Sequence, residues 1–329
     1  MTSLAPLLEG FFHDRLLRQR RVSPHTVASY RDTFRLLLTF AHRRVGKAPS
    51  DLSLQDLNAE LIAAFLDHLE VDRHNSPRTR NQRLAAIRSL FKYVAFQEPA
   101  HSALIQRVLA IPMKRCDHKL VSFLTEPEIE ALLQAPDRTS WIGRRDHLLM
   151  LLAIQTGLRV AELASLRNNQ IVLGPGAHIR CQGKGRKERI TPLGTKVASL
   201  LRGWLREQRV SPATPVFPSC RGGQLSPDAI ERLVAKHAAT AHSTCPSLRE
   251  KRVTPHMLRH TTAVRILRAT QDLAAVALVL GHQSIDTTRI YVDADLSIKE
   301  RAIARTAPPH VGKRRYRPPE PLLAFLASL

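Results

Sequence analysis

The chain is short of acid. Its 329 residues carry 28 Asp and Glu against 50 Lys and Arg, a formal net charge of +22. An excess of one sign on this scale repels itself in a compact fold unless a polyanion compensates. Nucleic acid is the commonest polyanion, and binding it releases condensed counterions. A ribosomal-type RNA binder and a merely basic chain are the plainer readings of charge alone. Cysteine is scarce too: Cys116, Cys181, Cys220 and Cys245, with no CxxC pair. That argues against a zinc ribbon, and Cys220 and Cys245 ahead of His256 and His260 have the wrong spacing for a structural zinc site. Scattered thiols suit a reducing compartment. Long apolar runs are missing. The most apolar segment, Leu273 to Leu280, is far too short to span a bilayer. Met1 to Gly10 lacks the basic start and apolar run of a signal peptide. The expectation is a cytoplasmic protein without a membrane partner. No GxxxxGK[ST] loop, no acidic cluster suited to a metal, no repeat and no low-complexity tract is found. Tyrosines number only four.

What is present reads as two domains. The apolar fraction, 43%, is that of a globular protein, and the length allows two cores. The first third reads as helices. Ser23-Pro24 gives an N-cap and a proline in the first turn, and Val27, Tyr30, Phe34, Leu37, Leu38 and Ala41 follow at helical spacing. Ser76-Pro77 repeats the start signal, and Leu84, Ile87, Leu90, Phe91 and Val94 form the stripe of a second helix. Its other faces carry Arg78, Arg80, Arg83, Arg88 and Lys92, without an acid from Pro77 to Gln97. Such a helix packs by its stripe and offers the basic faces to phosphates; the plainer reading is a solvated surface. A charged, proline-bearing linker is expected over 111–120, between a helical domain (1–110) and a second domain (121–310) that begins at the helix signal Thr-Glu-Pro-Glu near Thr125. A buried helix is expected over Asp146 to Gln155, ended by Gly157. Ile171 to Leu173, His178 to Cys181 and Arg189 to Thr191 read as three short strands. Helices return from Leu193 to Val210 and from Pro227 onward. A tail, 311–329, turns from basic to proline-rich to apolar (LLAFLASL).

Four segments carry chemistry. In Thr156-Gly-Leu-Arg159-Val-Ala-Glu162, Arg159 and Glu162 share a helical face; alone, such a pair is a surface salt bridge. In Gln182-Gly-Lys184-Gly-Arg-Lys-Glu-Arg189, glycines allow a tight turn near a ligand; alone, it is a basic hairpin. In Thr254-Pro-His256-Met-Leu-Arg259-His260, a capped helix start puts His256 and Arg259 at spacing three, and His260 lies near as either a site residue or a satisfied core histidine. In Leu280-Gly-His282 to Tyr291, Gly281 ends the apolar helix and Tyr291 follows on a short one.

As an ordered set, TGLRVAEL, GKGRKERI, HMLRH and LGHQSIDTTRIY resemble the tyrosine recombinase family, which includes phage integrases and the bacterial recombinases that resolve chromosome dimers. The resemblance runs from about Leu7 to Thr306 and includes the first domain; the tail after Pro308 has no matching pattern. It implies a mainly α fold with a small antiparallel sheet: a helical DNA-clamping N-terminal domain and a mixed α/β catalytic domain. It also implies that Arg159 and Arg259 are the active-site arginines, that Glu162 supports the first, that Lys184 is the catalytic lysine, that His256 and His282 are the active-site histidines, and that Tyr291 is the nucleophile.

The residue types suit that chemistry. Two guanidiniums hold the non-bridging oxygens of a phosphodiester and stabilise the charge that grows there in the transition state. A tyrosine hydroxyl, with its ordinary pKa near 10, needs a base or nearby positive charge. The resemblance gives that duty to His256, protonation of the departing 5′ oxygen to Lys184, and a phosphate hydrogen bond to His282. No metal, cofactor or ATP is expected. The expected partners are double-stranded DNA and further copies of the chain, as a tetramer on two duplexes, with the apolar tail docking on a neighbour. Two other readings are a type IB topoisomerase, which relaxes plasmids without a cognate site, and a DNA-binding regulator without catalysis. Tyr316 lies in a basic stretch without an upstream LGH and reads as a surface or packing residue.

Overall fold

A computed structural model describes residues 2–116, 121–182, 188–208, 211–281, 287–288 and 290–291. The chain divides into two compact units, Met1–Lys119 and Leu120–Leu329. Lys184, His282 and the tail lie outside the described residues.

The first unit is helical: α1 (Leu4–Gly10), a wider π-helical continuation (Phe11–Gln19), α2 (Pro24–Val45), α3 (Ala59–Val71), α4 (Pro77–Gln97) and α5 (Ser102–Ala110). The Ser-Pro starts work through their side chains. Ser23 accepts from the Thr26 amide and Ser76 from the Thr79 amide, each satisfying a donor that the first turn leaves unpaired. Gly46 takes the left-handed conformation that ends α2. Phe34, Leu37 and Ala41 of α2 meet Phe65 of α3 and the α4 stripe of Leu84, Ile87, Leu90, Phe91 and Val94, all buried. The start of the expected linker is not free chain. Asn81 holds Lys114 by both its amide oxygen (3.0 Å) and its amide nitrogen (2.7 Å), and Lys114 pairs with Glu70 at 2.6 Å.

The second unit opens with α6 (Glu126–Gln134), α7 (Trp141–Thr156) and the short α8 (Val160–Ser165). A sheet follows, β1 (Ile171–Val172), β2 (His178–Gln182) and β3 (Glu188–Pro192), antiparallel in the order β1-β2-β3. Ile179 pairs with Thr191 and Cys181 with Arg189. Then come α9 (Thr195–Gln208), α10 (Pro227–Ala241), α11 (Pro255–Thr270) and α12 (Leu273–Leu280). Leu149 and Leu152 of α7, Leu201 and Trp204 of α9, Ile230 and Val234 of α10, and Leu258 of α11 share one core. Thr262 of α11 donates to the Ile154 carbonyl at 2.7 Å, seating α11 on α7. Within this core Asp146 accepts from Arg145 at 2.7 Å and bonds His237 at 2.9 Å, so the buried charges are paired. Among the described residues no helix is long and apolar enough to cross a membrane.

Candidate active site

The site forms where α7, α8, β3, α11 and α12 bring their ends together. Two glycines make this approach possible. Gly157 ends α7 at φ +60°, and a Cβ there would meet Leu280 Cδ2 at 2.4 Å. Gly281 ends α12 at φ +64°, and a Cβ there would meet the Arg189 guanidinium at 2.8 Å. Both positions need the left-handed backbone and the missing side chain together.

Arg259 is 5% exposed. Its guanidinium donates to the Gly157 carbonyl and, at 2.8 Å, to the Leu280 carbonyl. These are terminal carbonyls of α7 and α12, where the helix dipoles present partial negative charge. Burial pulls the Arg259 pKa down to about 10, and Arg159 and Arg189 add to the fall, against Glu162 and Tyr291. It stays cationic at neutral pH. An arginine so placed gains by meeting an anion, because the anion offsets both burial and the neighbouring charges.

Arg159 is the N-cap of α8. Its Nη1 donates to Glu162 Oε1 at 2.9 Å, its backbone amide donates to Glu162 Oε2 at 2.8 Å, and its Nη2 reaches the Gly281 carbonyl at 3.3 Å. Glu162 is more than the surface partner that spacing alone suggests. Its side chain is 7% exposed, and its second oxygen also accepts from Arg189 at 2.7 Å.

Arg189 is the residue that reading the sequence overlooked as a site member. Strand alternation puts Ile190 outward, 67% exposed, and turns Arg189 inward beside buried Thr191. Besides Glu162, Arg189 donates to the Val279 carbonyl and to Cys181 Sγ, each at 3.1 Å. It thus ties β3 to α8 and to the last turn of α12. A usable signal existed: Arg189 stands opposite buried Cys181 in the hairpin register, a position that requires a partner for any charge.

Tyr291 is 2% exposed, packed with Ala263, Val264 and Leu267 of α11 and Val276 and Leu280 of α12. Burial raises its hydroxyl pKa, against the charges of Arg259 and Arg159. A hydrogen bond of 3.1 Å joins Tyr291 Oη to His260 Nδ1. His256, exposed in the first turn of α11, lies edge-on to His260 with ring centroids 4.1 Å apart. The structure therefore brings Arg159, Glu162, His256, Arg259 and Tyr291 into one site and adds Arg189 and His260.

The basic face expected on α4 needs correction. Arg80 is 5% exposed and donates to the Pro112 carbonyl at 2.9 Å. Arg88 donates to the Leu109 and Ile111 carbonyls at 2.6 and 2.9 Å. These two guanidiniums satisfy carbonyls at and beyond the end of α5, which would otherwise lack partners, so they are not turned to solvent. Arg83 is half-buried, its pKa lowered by burial and by Arg73 against Asp32. Only Arg78 and Lys92 are exposed among the five.

Two family models match. Residues 122–297 fit the phage integrase family, and residues 8–98 fit the phage integrase N-terminal SAM-like domain. The chain is 53% identical over 327 residues to y4rC of Sinorhizobium fredii, which bears an integrase/recombinase name, covering 99% of this chain and 98% of that one. It is 33% identical over 293 residues to the tyrosine recombinase XerD of Pseudomonas putida, covering 87% and 92%. Among solved structures, the XerH site-specific recombinase bound to its palindromic difH substrate matches with a TM-score of 0.65 at 27% identity, covering 83% of this chain and 79% of that one. The chain belongs to the phage integrase family and is a tyrosine site-specific recombinase. Its mainly helical fold with a small antiparallel sheet is the fold of that family.

Proposed function

We propose that the protein cuts one strand of double-stranded DNA with Tyr291, holds the 3′ end as a phosphotyrosine ester, and rejoins it to another 5′ end. The carrying observation is that Arg159 and Arg259 converge on the terminal carbonyls of α7 and α12, close enough to Tyr291 for their charges to act on its hydroxyl. Arg159 and Arg259 hold the non-bridging oxygens and stabilise charge in the transition state. Glu162 and Arg189 keep Arg159 oriented. Lys184 protonates the departing 5′ oxygen and His282 bonds the phosphate, roles assigned by resemblance to the family. The ester keeps the energy of the broken bond, so the reading needs neither ATP nor a metal ion. Arg78, Arg83 and Lys92 contact the DNA backbone. The working assembly is a tetramer on two duplexes in the cytoplasm, and the net charge of +22 suits that partner. The strong basic charge and the unmatched tail favour a mobile element over chromosome dimer resolution.

The test is a nicked duplex from the neighbourhood of the gene, incubated with wild type and Tyr291→Phe. A covalent adduct that survives denaturant is expected in the wild type alone. Adduct in both removes Tyr291 as the nucleophile. Tight binding without adduct in either supports a non-catalytic regulator.

A further inference from the structure

We propose that His260 is a catalytic residue, the group that takes the Tyr291 proton during cleavage and returns it during rejoining, in place of His256, to which the family resemblance gives that duty and which stands here as its outer neighbour. This deepens the function proposed above and rests on Tyr291 being the nucleophile.

Geometry carries the assignment. His260 Nδ1 stands 3.1 Å from Tyr291 Oη, within the range for direct proton transfer. The two rings meet edge to face with centroids 5.4 Å apart. His260 lies in the first half of α11, a helix seated on α7 through Thr262, so its ring is carried by a rigid element. Tyr291 is packed among α11 and α12 side chains on its apolar faces. A buried hydroxyl resists losing a proton to solvent, so a local acceptor lowers the barrier to attack. With the other ring nitrogen protonated, Nδ1 is that acceptor.

Among the described residues, the charged and titratable groups around this hydrogen bond include His256 on the same helix and Arg259 and Arg159, whose charges act on Tyr291. The two arginines favour the developing phenolate. His256 is exposed and touches His260, and so offers a route by which the proton reaches solvent.

The step balances. Tyr291 Oη bonds to phosphorus as its proton moves to His260 Nδ1. The bond from phosphorus to the 5′ oxygen breaks, and that oxygen takes a proton from a separate donor, the task given to Lys184. Rejoining reverses each transfer: the 5′ hydroxyl attacks, and Tyr291 leaves with the proton held by His260.

The experiment compares rates of adduct formation on nicked duplex for the full-length wild type, His260→Asn and His260→Gln. Each is made with tyrosine or 3,5-difluorotyrosine at position 291, and each is checked for DNA affinity and Tm. A loss of about 100-fold is expected with tyrosine, shrinking to about tenfold or less with the more acidic fluorinated nucleophile, because a better acid needs less help from a base. Two variants of different length guard against a single misfolded protein. Rates within threefold of wild type would overturn the proposal. So would an equal fold-loss with both nucleophiles, which is the signature of a group that only positions the ring. Tyr291→Phe separates the two levels: adduct persisting there removes the nucleophile itself, whereas adduct that needs Tyr291 but ignores His260 removes only the proton acceptor.

Discussion

Arginine side chains do the same local work in both units, with different consequences. In the first, Arg80 and Arg88 donate to carbonyls at and beyond the end of α5. In the second, Arg259 and Arg159 donate to carbonyls at the ends of α7 and α12. Glu70 is the acidic partner of Arg80, at 3.9 Å. In the second unit a single buried carboxylate, Glu162, serves two arginines at once, Arg159 and Arg189. A third, Arg259, has its pKa pulled down to about 10 by burial, and sits close enough for their charges to add to the fall. A lone arginine on carbonyls is a clasp; three around one carboxylate leave positive charge in excess, a setting that suits a phosphate.

Substitutions break this comparison at different depths. The largest effect is expected at Arg259. Arg259→Ala lowers the rate of adduct formation by about 10²–10³-fold, the cost of one transition-state donor, with DNA affinity changed far less. Arg259→Lys does not restore the rate, because an ammonium lacks the planar fork that spans the Gly157 and Leu280 carbonyls. Single-turnover kinetics and filter binding read the two quantities.

Glu162→Ala comes next. It strips the carboxylate from two arginines whose side chains are 35% and 13% exposed. Leaving buried charge unpaired costs about 3–5 kcal/mol, reduced here by the partial exposure of Arg159, and urea unfolding measures it. In the first unit, Arg88→Ala is expected to cost about 1–3 kcal/mol by orphaning carbonyls, with the salt dependence of DNA binding unchanged. Lys92→Ala reverses that pattern: stability holds, and the slope of log affinity against log salt falls by about one.

The smallest effect is alkaline. The folded Tyr291 keeps its proton above the ordinary tyrosine value near 10. From pH 10 up to that raised value the unfolded chain has lost a proton that the native one retains, so stability falls as pH rises. Tyr291→Phe lacks this loss. Unfolding of both proteins between pH 9 and 11 reads the difference, and the absorbance titration of wild type minus that of Tyr291→Phe is expected to show Tyr291 ionising above the ordinary tyrosine value.

Much of this architecture was legible because it rests on local rules. Ser23-Pro24, Ser76-Pro77 and Thr254-Pro255 start helices where the side-chain caps form, and Gly157 and Gly281 end them in the left-handed conformation. Arg159, Glu162, His256, Arg259 and Tyr291 followed from an ordered set of motifs. What escaped depended on partners distant in sequence. Arg189 and Glu162 are 27 residues apart, and His260 and Tyr291 are 31 apart; spacing within a helix is silent about either. The inward turn of Arg80 and Arg88 depends on the chain after α5 folding back across α4, which a helical wheel cannot show. A basic face on a wheel is a statement about one helix, whereas exposure is a property of the packed unit.

The most direct measurement is to trap the adduct on a nicked duplex, digest protein and DNA, and find the modified peptide by mass spectrometry. Cleavage after Arg289 and Lys299 isolates residues 290–299, with Tyr291 as the only tyrosine. The account predicts a nucleotide joined through a 3′ phosphate to that peptide. A nucleotide on the peptide bearing Tyr316, or on neither, would contradict it.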